Sequence, residues 1–364
     1  MINLLGFGAA LLFCLAIRWL CLKKGATPTA AGAVVMAIGI FLYSAMQQFA
    51  IYAYGEVFAF ILAAVWLITV LSILATLHDH SFRKKYLDDP VQLFAIGTWV
   101  AGTSVLGNVI YQFSLDLGIF PYVMGALNIL LYMWYLYHVF PAFFKIYRSD
   151  AKNHVHGVLL LSTVGTQSIV LLLYNVFRHL LPDWGNRGLI VFGIVLYIIG
   201  FYLIIRRYLF QRSWNIADDW KNTNCIVHGA ISITGLAAVT TGVFGYWFEF
   251  LLWIWVIVLF VIVEAIEVYR AIVRIKKYGV IQGIGGYDVS QWSRNFTFGM
   301  LYAFTANFQV VSGSLFVPIR HAIVVFGPWV VFLFLIIEIL IFLRDRVEWS
   351  IGKGFKQSEG KRSD

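Results

Sequence analysis

Five times along this chain a membrane-length segment studded with Gly, Ser, Thr, Asn and Gln is followed by one that is almost wholly aliphatic and aromatic. The mixed segments lie near residues 28–50, 91–113, 155–176, 224–246 and 293–315, and the apolar ones near 57–78, 118–144, 187–209, 248–273 and 321–344. A helix that faces hydrocarbon can be uniformly apolar, whereas hydroxyls and amides inside a bilayer need a partner helix or a water-filled cavity. The alternation therefore predicts five hairpins, each with an inner polar helix and an outer lipid-facing one. Five inner helices surround an axis, and an axis bordered by hydroxyls suggests a pore.

With 61% hydrophobic and only 12% charged residues, the chain falls well short of the roughly one quarter to one third charge that a soluble surface carries. It reads as an all-α polytopic membrane protein. Each segment has about 20 residues, enough to cross ~30 Å of hydrocarbon at ~1.5 Å per residue. A transmembrane barrel would instead need alternating segments of about 10 residues.

The net charge of +9 is explained by topology. If every segment spans, 24 of the 27 Lys and Arg fall on one side, and only Arg178, Arg187 and Arg320 fall on the other. The positive-inside rule then puts the long loops and the C-terminus in the cytoplasm, in a multi-pass protein of the cell membrane. The lipid bilayer is the implied partner, and nucleic acid is not. Three divisions follow: a hydrophobic N-terminal segment at 1–27, a ten-helix unit at 28–345, and a basic tail at 346–364. Residues 4–22 are apolar apart from Arg18 and are followed by Lys23 and Lys24. They form either an extra spanning helix with Arg18 snorkelling or a segment lying in the interface. Cys14, Cys21 and Cys225 lack paired spacing and read as small buried hydrophobes.

The inner segments repeat with a period in the mid-sixties, and their glycines keep step: Gly39, Gly102, Gly165, Gly235 and Gly299 are 63, 63, 70 and 64 residues apart. Each glycine is expected to let an inner helix bend or approach its neighbour. Candidates for the axis lining are Ser44, Gln47, Thr98, Thr103, Ser104, Asn108, Ser162, Thr163, Thr166, Gln167, Ser232, Thr234, Thr240, Thr241, Thr297, Thr305 and Asn307, together with the repeat glycines. The alternative role for these hydroxyls is to hold helices together.

None of the five inner segments carries an Asp or Glu. Cation paths and proton relays display carboxylates or focused carbonyls, so a neutral, donor-bearing lumen with a basic mouth favours small anions. Carboxylates do occur in the outer helices, at Glu264, Glu267 and Glu338. Glu264 and Glu267 share one helical face. They and Glu338 are candidates for proton coupling or for structural anchoring to inner-helix hydroxyls.

No enzyme signature stands out. His78 and His80 lie in a basic loop, His154, His156 and His228 do not pair at mid-depth as haem ligation requires, and no cofactor is implied. The cluster Gly279, Gly283, Gly285 and Gly286 lacks phosphate-loop spacing and reads as a flexible connector.

Three stretches resemble a known family. Trp292-Ser-Arg-Asn-Phe-Thr-Phe-Gly-Met300 resembles the ninth helix of the tellurite-resistance/dicarboxylate transporter (TDT) family, which includes TehA and the slow anion channels of plant guard cells. Val35-Met-Ala-Ile-Gly-Ile40 is similar to its first helix, with Ile38 in place of Thr. Gly97–Gly107, preceded by Asp89-Pro90, is similar to its third helix. The resemblance, over residues 28–345, implies ten helices in fivefold pseudo-symmetry around a pore, often in homotrimers with one pore per protomer. It also implies passage of monovalent anions, C4-dicarboxylates, sulfite or tellurite-type oxyanions, and a ninth-helix aromatic that plugs the pore, here Phe298. Glycine after Phe298 follows the bacterial pattern. A passive channel, a proton-coupled transporter and a non-transporting membrane sensor or assembly protein all remain compatible with the residues.

Overall fold

A computed structural model describes residues 2–21, 27–113, 119–177, 180–211 and 214–360, with side chains described for 6–15 of the first stretch and up to 345 in the last. Arg18, Cys21, Lys23, Lys24, Arg178 and the side chains of the 346–364 tail lie outside those descriptions. The described residues are helical without strands: α1 (Ile2–Cys21), α2 (Gly32–Tyr43), α3 (Gly55–His78), a short α4 (Phe82–Tyr86), α5 (Gly97–Gln112), α6 (Phe120–Arg148), α7 (Leu161–Val176), α8 (Asp183–Phe210), α9 (Ile226–Thr241), α10 (Tyr246–Gly283), α11 (Trp292–Asn307) and α12 (Val317–Gly360).

Burial separates the two helix types as the composition predicts. Four inner spans are 78–100% buried, whereas the five outer ones are 22–39% buried. The fifth inner helix, α11, is too polar to register as a span by hydropathy alone, and it closes the ring. The inner order is α2, α5, α7, α9, α11 and back to α2. Each outer helix packs in the cleft between its own inner helix and the next: α3 on α2 and α5, α6 on α5 and α7, α8 on α7 and α9, α10 on α9 and α11, α12 on α11 and α2. The additional helix α1 lies against α3 and touches α12. The rings of Phe7 and Phe60 make that contact, at 6.4 Å.

The repeat glycines sit in the seams of the ring. A Cβ on Gly39 would fall 2.4 Å from Val105 of α5, one on Gly235 2.2 Å from Phe304 of α11, and one on Gly299 2.6 Å from Ile40 of α2. Gly102 faces the Gly32 carbonyl, and Gly165 meets the Gly97 carbonyl at a relaxed 3.9 Å. All five helices run unbroken through these positions. Of the two expected roles, bending or close approach, glycine here serves close approach.

Helix ends differ from the sequence expectation in three places. The segment read as one helix over 28–50 stops at Tyr43, where Ser44 leaves helical geometry (φ −123°, ψ −64°) and two 3-10 turns follow. α9 stops at Thr241 because Gly242 takes φ 65° and returns its N–H to the Ala238 carbonyl. The glycine-rich connector after Gly279 (φ 76°) is pinned, since Arg274 donates to the Gly283 carbonyl at 2.7 Å and Gln291 to that of Gly286 at 2.9 Å. At the opposite end of the ring, Arg187 caps the Val243 carbonyl beyond α9, and Arg320 caps Phe308 and Ala306 at the end of α11. Both arginines thus neutralise the negative ends of inner helices.

Candidate functional site

Every inner helix begins with a 3-10 turn: Thr29–Ala31, Gln92–Ile96, Gly157–Leu160, Asn222–Cys225 and Val289–Gln291. All five turns open into one cavity of about 670 Å³. Local chemistry sets these starts. Asp89 Oδ1 accepts from the N–H groups of Val91 (2.8 Å) and Gln92 (3.1 Å), Asn224 accepts from Gly157 N–H (2.9 Å), and Asp288 caps Ser290 N–H (2.8 Å) in a reciprocal box with Gln291. His156 is buried, and its Nδ1 lies 2.6 Å from the Thr223 hydroxyl. Burial first, then Arg207 and Lys221, push its pKa down to about 3, so the imidazole is neutral.

The side chains of this vestibule nearly cancel. Lys221, Arg270, Arg274 and Arg294 face Asp218, Glu267, Asp288 and Glu338. Hydrogen bonds from Lys277 and Tyr278 hold the Asp218 carboxyl below its ordinary range, so it stays charged. To these side chains the ring of helix starts adds its dipoles, roughly half a positive charge each before capping, and Asp89 and Asp288 cap two of them. Sequence reading attributed the attraction for anions to basic loops. Five helix starts converge on the same cavity, and their number follows from the hairpin count alone.

Glu264 and Glu267 find ionic partners, where the sequence suggested hydroxyls. Arg294, in the first turn of α11, donates to Glu264 at 3.2 Å and lies 3.0 Å from Glu267. Glu264 also lies 3.5 Å from His228 of α9. Glu267 accepts from Trp220 (2.9 Å) and Arg270 (3.2 Å). The cluster ties α9, α10 and α11 together, and its Glu267, Arg270 and Arg294 form part of the vestibule wall. Glu338 of α12 is separate: it is buried, lines the vestibule, and its Oε1 accepts no hydrogen bond from a described residue.

The outer face of α11 is marked by its contacts. Arg294 reaches α10, Thr305 accepts from Trp253 of α10 (3.1 Å), and the Phe298 ring packs at 5.2 Å from Phe260 of α10 and 5.0 Å from Phe334 of α12. The two side seams are Thr297 against Gly229 of α9 and Gly299 against Ile40 of α2. At about 100° per residue, Phe296 and Met300 each stand some 160° from Phe298, on the face left over. Both are buried. Phe298, expected at the axis, instead packs outward, because the two outer helices flanking α11 present Phe260 and Phe334 to it.

Most of the proposed lining hydroxyls are engaged within the protein. Ser44, Thr166, Ser232 and Thr234 donate to carbonyls one turn back on their own helices. Thr98, Ser162 and Thr297 do so three residues back. Thr103 accepts from Trp66 of α3 (2.9 Å), Ser104 from Asn128 of α6 (2.9 Å) and Thr166 from Tyr132 of α6 (2.9 Å). These three therefore face outer helices. Thr163 is buried with no hydrogen-bond partner among the described residues.

The polar groups that do reach the axis are at the far end. Asn175 of α7 donates to Asn108 of α5 (2.7 Å) and to the Tyr43 hydroxyl of α2 (3.2 Å). Since α2 and α7 are not ring neighbours, the second bond bridges them past the intervening α5. Asn108 was legible as a candidate, but Tyr43 and Asn175 were missed. The signal was their place in the last turn of successive inner helices.

The axis thus runs from a vestibule of helix starts, past Phe296 and Met300, to a cluster of amides and a phenol. A family model described as voltage-dependent anion channel matches residues 26–343, which takes in the whole ring and its outer helices. That is the family to which the stretches at 35–40, 97–107 and 292–300 pointed. No curated protein matches the chain. The match covers most of the sequence, and the chain belongs to the voltage-dependent anion channel family.

Proposed function

We propose that this protein passes small anions passively along the axis of the inner ring, entering or leaving through a cytoplasmic vestibule, with Phe296 and Met300 as the obstruction. The observation that carries this reading is the convergence of five helix starts on one cavity, in a ring whose inner helices hold no carboxylate. Anions gain from aligned N–H dipoles at the mouth, and the buried aromatic and thioether offer no substitute for hydration water deeper in. Charge asymmetry supports placing the vestibule in the cytoplasm, since the loops that precede the inner helices carry most of the Lys and Arg.

Glu338 favours one second reading. A buried carboxylate with an unpartnered oxygen in the vestibule wall is suited to carrying a proton beside an anion, as a coupled importer or exporter of dicarboxylates, sulfite or tellurite would require. The deciding experiment is flux of chloride, nitrate, sulfite and malate into proteoliposomes, with and without a proton gradient. Passive conduction gives flux that persists without the gradient and in Glu338→Gln. Accumulation that needs both the gradient and Glu338 establishes the coupled reading in its place.

A further inference from the structure

We propose that the groove between α3 and α6 binds one anionic phospholipid, with an acyl chain along Trp66, Val70 and Leu127 and its headgroup on the basic face of α4. The two outer helices diverge over α5 and leave a cleft of about 430 Å³ lined by α3, α5 and α6. The polar donors at its floor are engaged: Trp66 Nε1 donates to Thr103 (2.9 Å), Thr98 to the Ala95 carbonyl (2.7 Å) and Asn128 Nδ2 to the Val100 carbonyl (3.0 Å) and Ser104 (2.9 Å), while the buried Asn128 Oδ1 has no partner among the described residues. The cleft therefore offers hydrocarbon surface to a hydrocarbon solvent. Water does not fill such a space inside a bilayer, and an empty cleft forfeits dispersion contacts along its whole lining. The seam between α3 and α12 solves the same problem with the chain's own α1. Among the described residues no helix fills the α3–α6 seam in this way.

The dimensions and the end of the groove specify the occupant. The α3 wall from Trp66 to Leu77 is about 16 Å long and the α6 wall from Phe120 to Trp134 about 21 Å at ~1.5 Å per residue, at least the ~15 Å of one leaflet's hydrocarbon and so long enough for an acyl chain. At the Leu77 end stands α4, whose Phe82 lines the groove and packs within 6.2 Å of Trp99 and Trp134. Such an aromatic group marks headgroup depth. On its other face α4 exposes Arg83, Lys84 and Lys85 in succession. Arg83 shares its charge with Asp88 at 3.7 Å. An apolar slot long enough for an acyl chain that ends at consecutive cations fits a negatively charged phospholipid.

Native mass spectrometry of the full-length protein, titrated with phosphatidylglycerol or phosphatidylcholine of identical chains, tests this. One phosphatidylglycerol per protomer should be retained at least tenfold better than phosphatidylcholine. Replacing Lys84 and Lys85 together by Ala should bring retention of the two lipids level. Leu127→Trp fills the groove from a lipid-exposed position and should abolish the retained lipid, with Val123→Trp on the same wall as a second filler should the first lower the melting temperature. Equal retention of both lipids by the unmodified protein, or undiminished retention in both fillers, overturns the proposal. So does efficient cross-linking between protomers of Leu127→Cys, which would make a second copy of this chain the occupant.

Discussion

Phe298 of α11 stands edge-on to Phe334 of α12 with ring centroids 5.0 Å apart, and this contact determines which aromatic of α11 is left for the axis. Phe296 is two residues away and on the nearly opposite face. Phe296→Ala should therefore raise anion conductance in planar bilayers, with little change in melting temperature if the cavity opens to water. Phe298→Ala should instead leave a cavity among packed rings and cost about 3 kcal/mol of stability without a gain in current. Increased conductance from Phe298→Ala alone, in a protein of normal stability, would reverse the assignment.

Arg294 holds two carboxylates with one guanidinium, and its loss leaves Glu264 without a cationic partner while Glu267 keeps Arg270. Arg294→Ala should destabilise the protein by about 3 kcal/mol, read as a shift in denaturation in detergent. Adding Glu264→Gln and Glu267→Gln to that variant should recover part of the loss, because amides keep hydrogen-bonding capacity without the stranded charge. A triple variant less stable than Arg294→Ala would show that the carboxylates have other essential partners.

The seam glycines differ in how tightly they are confined. An added methyl on Gly32 meets the Thr98 carbonyl oxygen at 2.3 Å, whereas on Gly165 its nearest neighbour is at 3.8 Å. Gly32→Ala should force α2 and α5 apart and reduce folded yield on size-exclusion chromatography. Gly165→Ala should be neutral, or stabilising by roughly 0.5 kcal/mol through helix propensity. Equal effects of the two substitutions would count against this seam geometry.

His156 imposes a pH dependence on stability. Its folded pKa of about 3 lies below the ordinary 6.5, so on acidification the unfolded chain takes up a proton before the folded one does. Stability should fall as pH drops through the window from 6.5 toward 3, by on the order of 2 kcal/mol at pH 5. The melting temperature should decline accordingly between pH 7 and pH 5. His156→Gln should flatten that decline, and an unchanged slope would remove His156 as its source.

The ring and its hairpins were readable because burial in a bilayer is written directly into composition: Thr, Ser and Gly face protein, while Leu, Val and Phe face lipid. What the composition does not carry is azimuth. Thr103 and Ser104 are adjacent and equally polar, and only the positions of Trp66 and Asn128 on outer helices reveal that both turn away from the axis. Phe298 escaped for the same reason, since its direction is set by Phe260 and Phe334, which are 38 and 36 residues distant in sequence. Tyr43 and Asn175 went unnoticed because their meeting bridges α2 and α7 past α5, between helices that hairpin connectivity never makes neighbours.

The five inner helices all run the same way, so their peptide dipoles add along the axis instead of cancelling as they do in an alternating bundle. Among the described residues, Arg187 and Arg320 offset the carbonyl ends of α9 and α11. An anion therefore meets a potential that slopes from one mouth to the other even with no voltage applied. The two directions of passage are then energetically unequal, and the current–voltage relation should bend rather than pass straight through the origin.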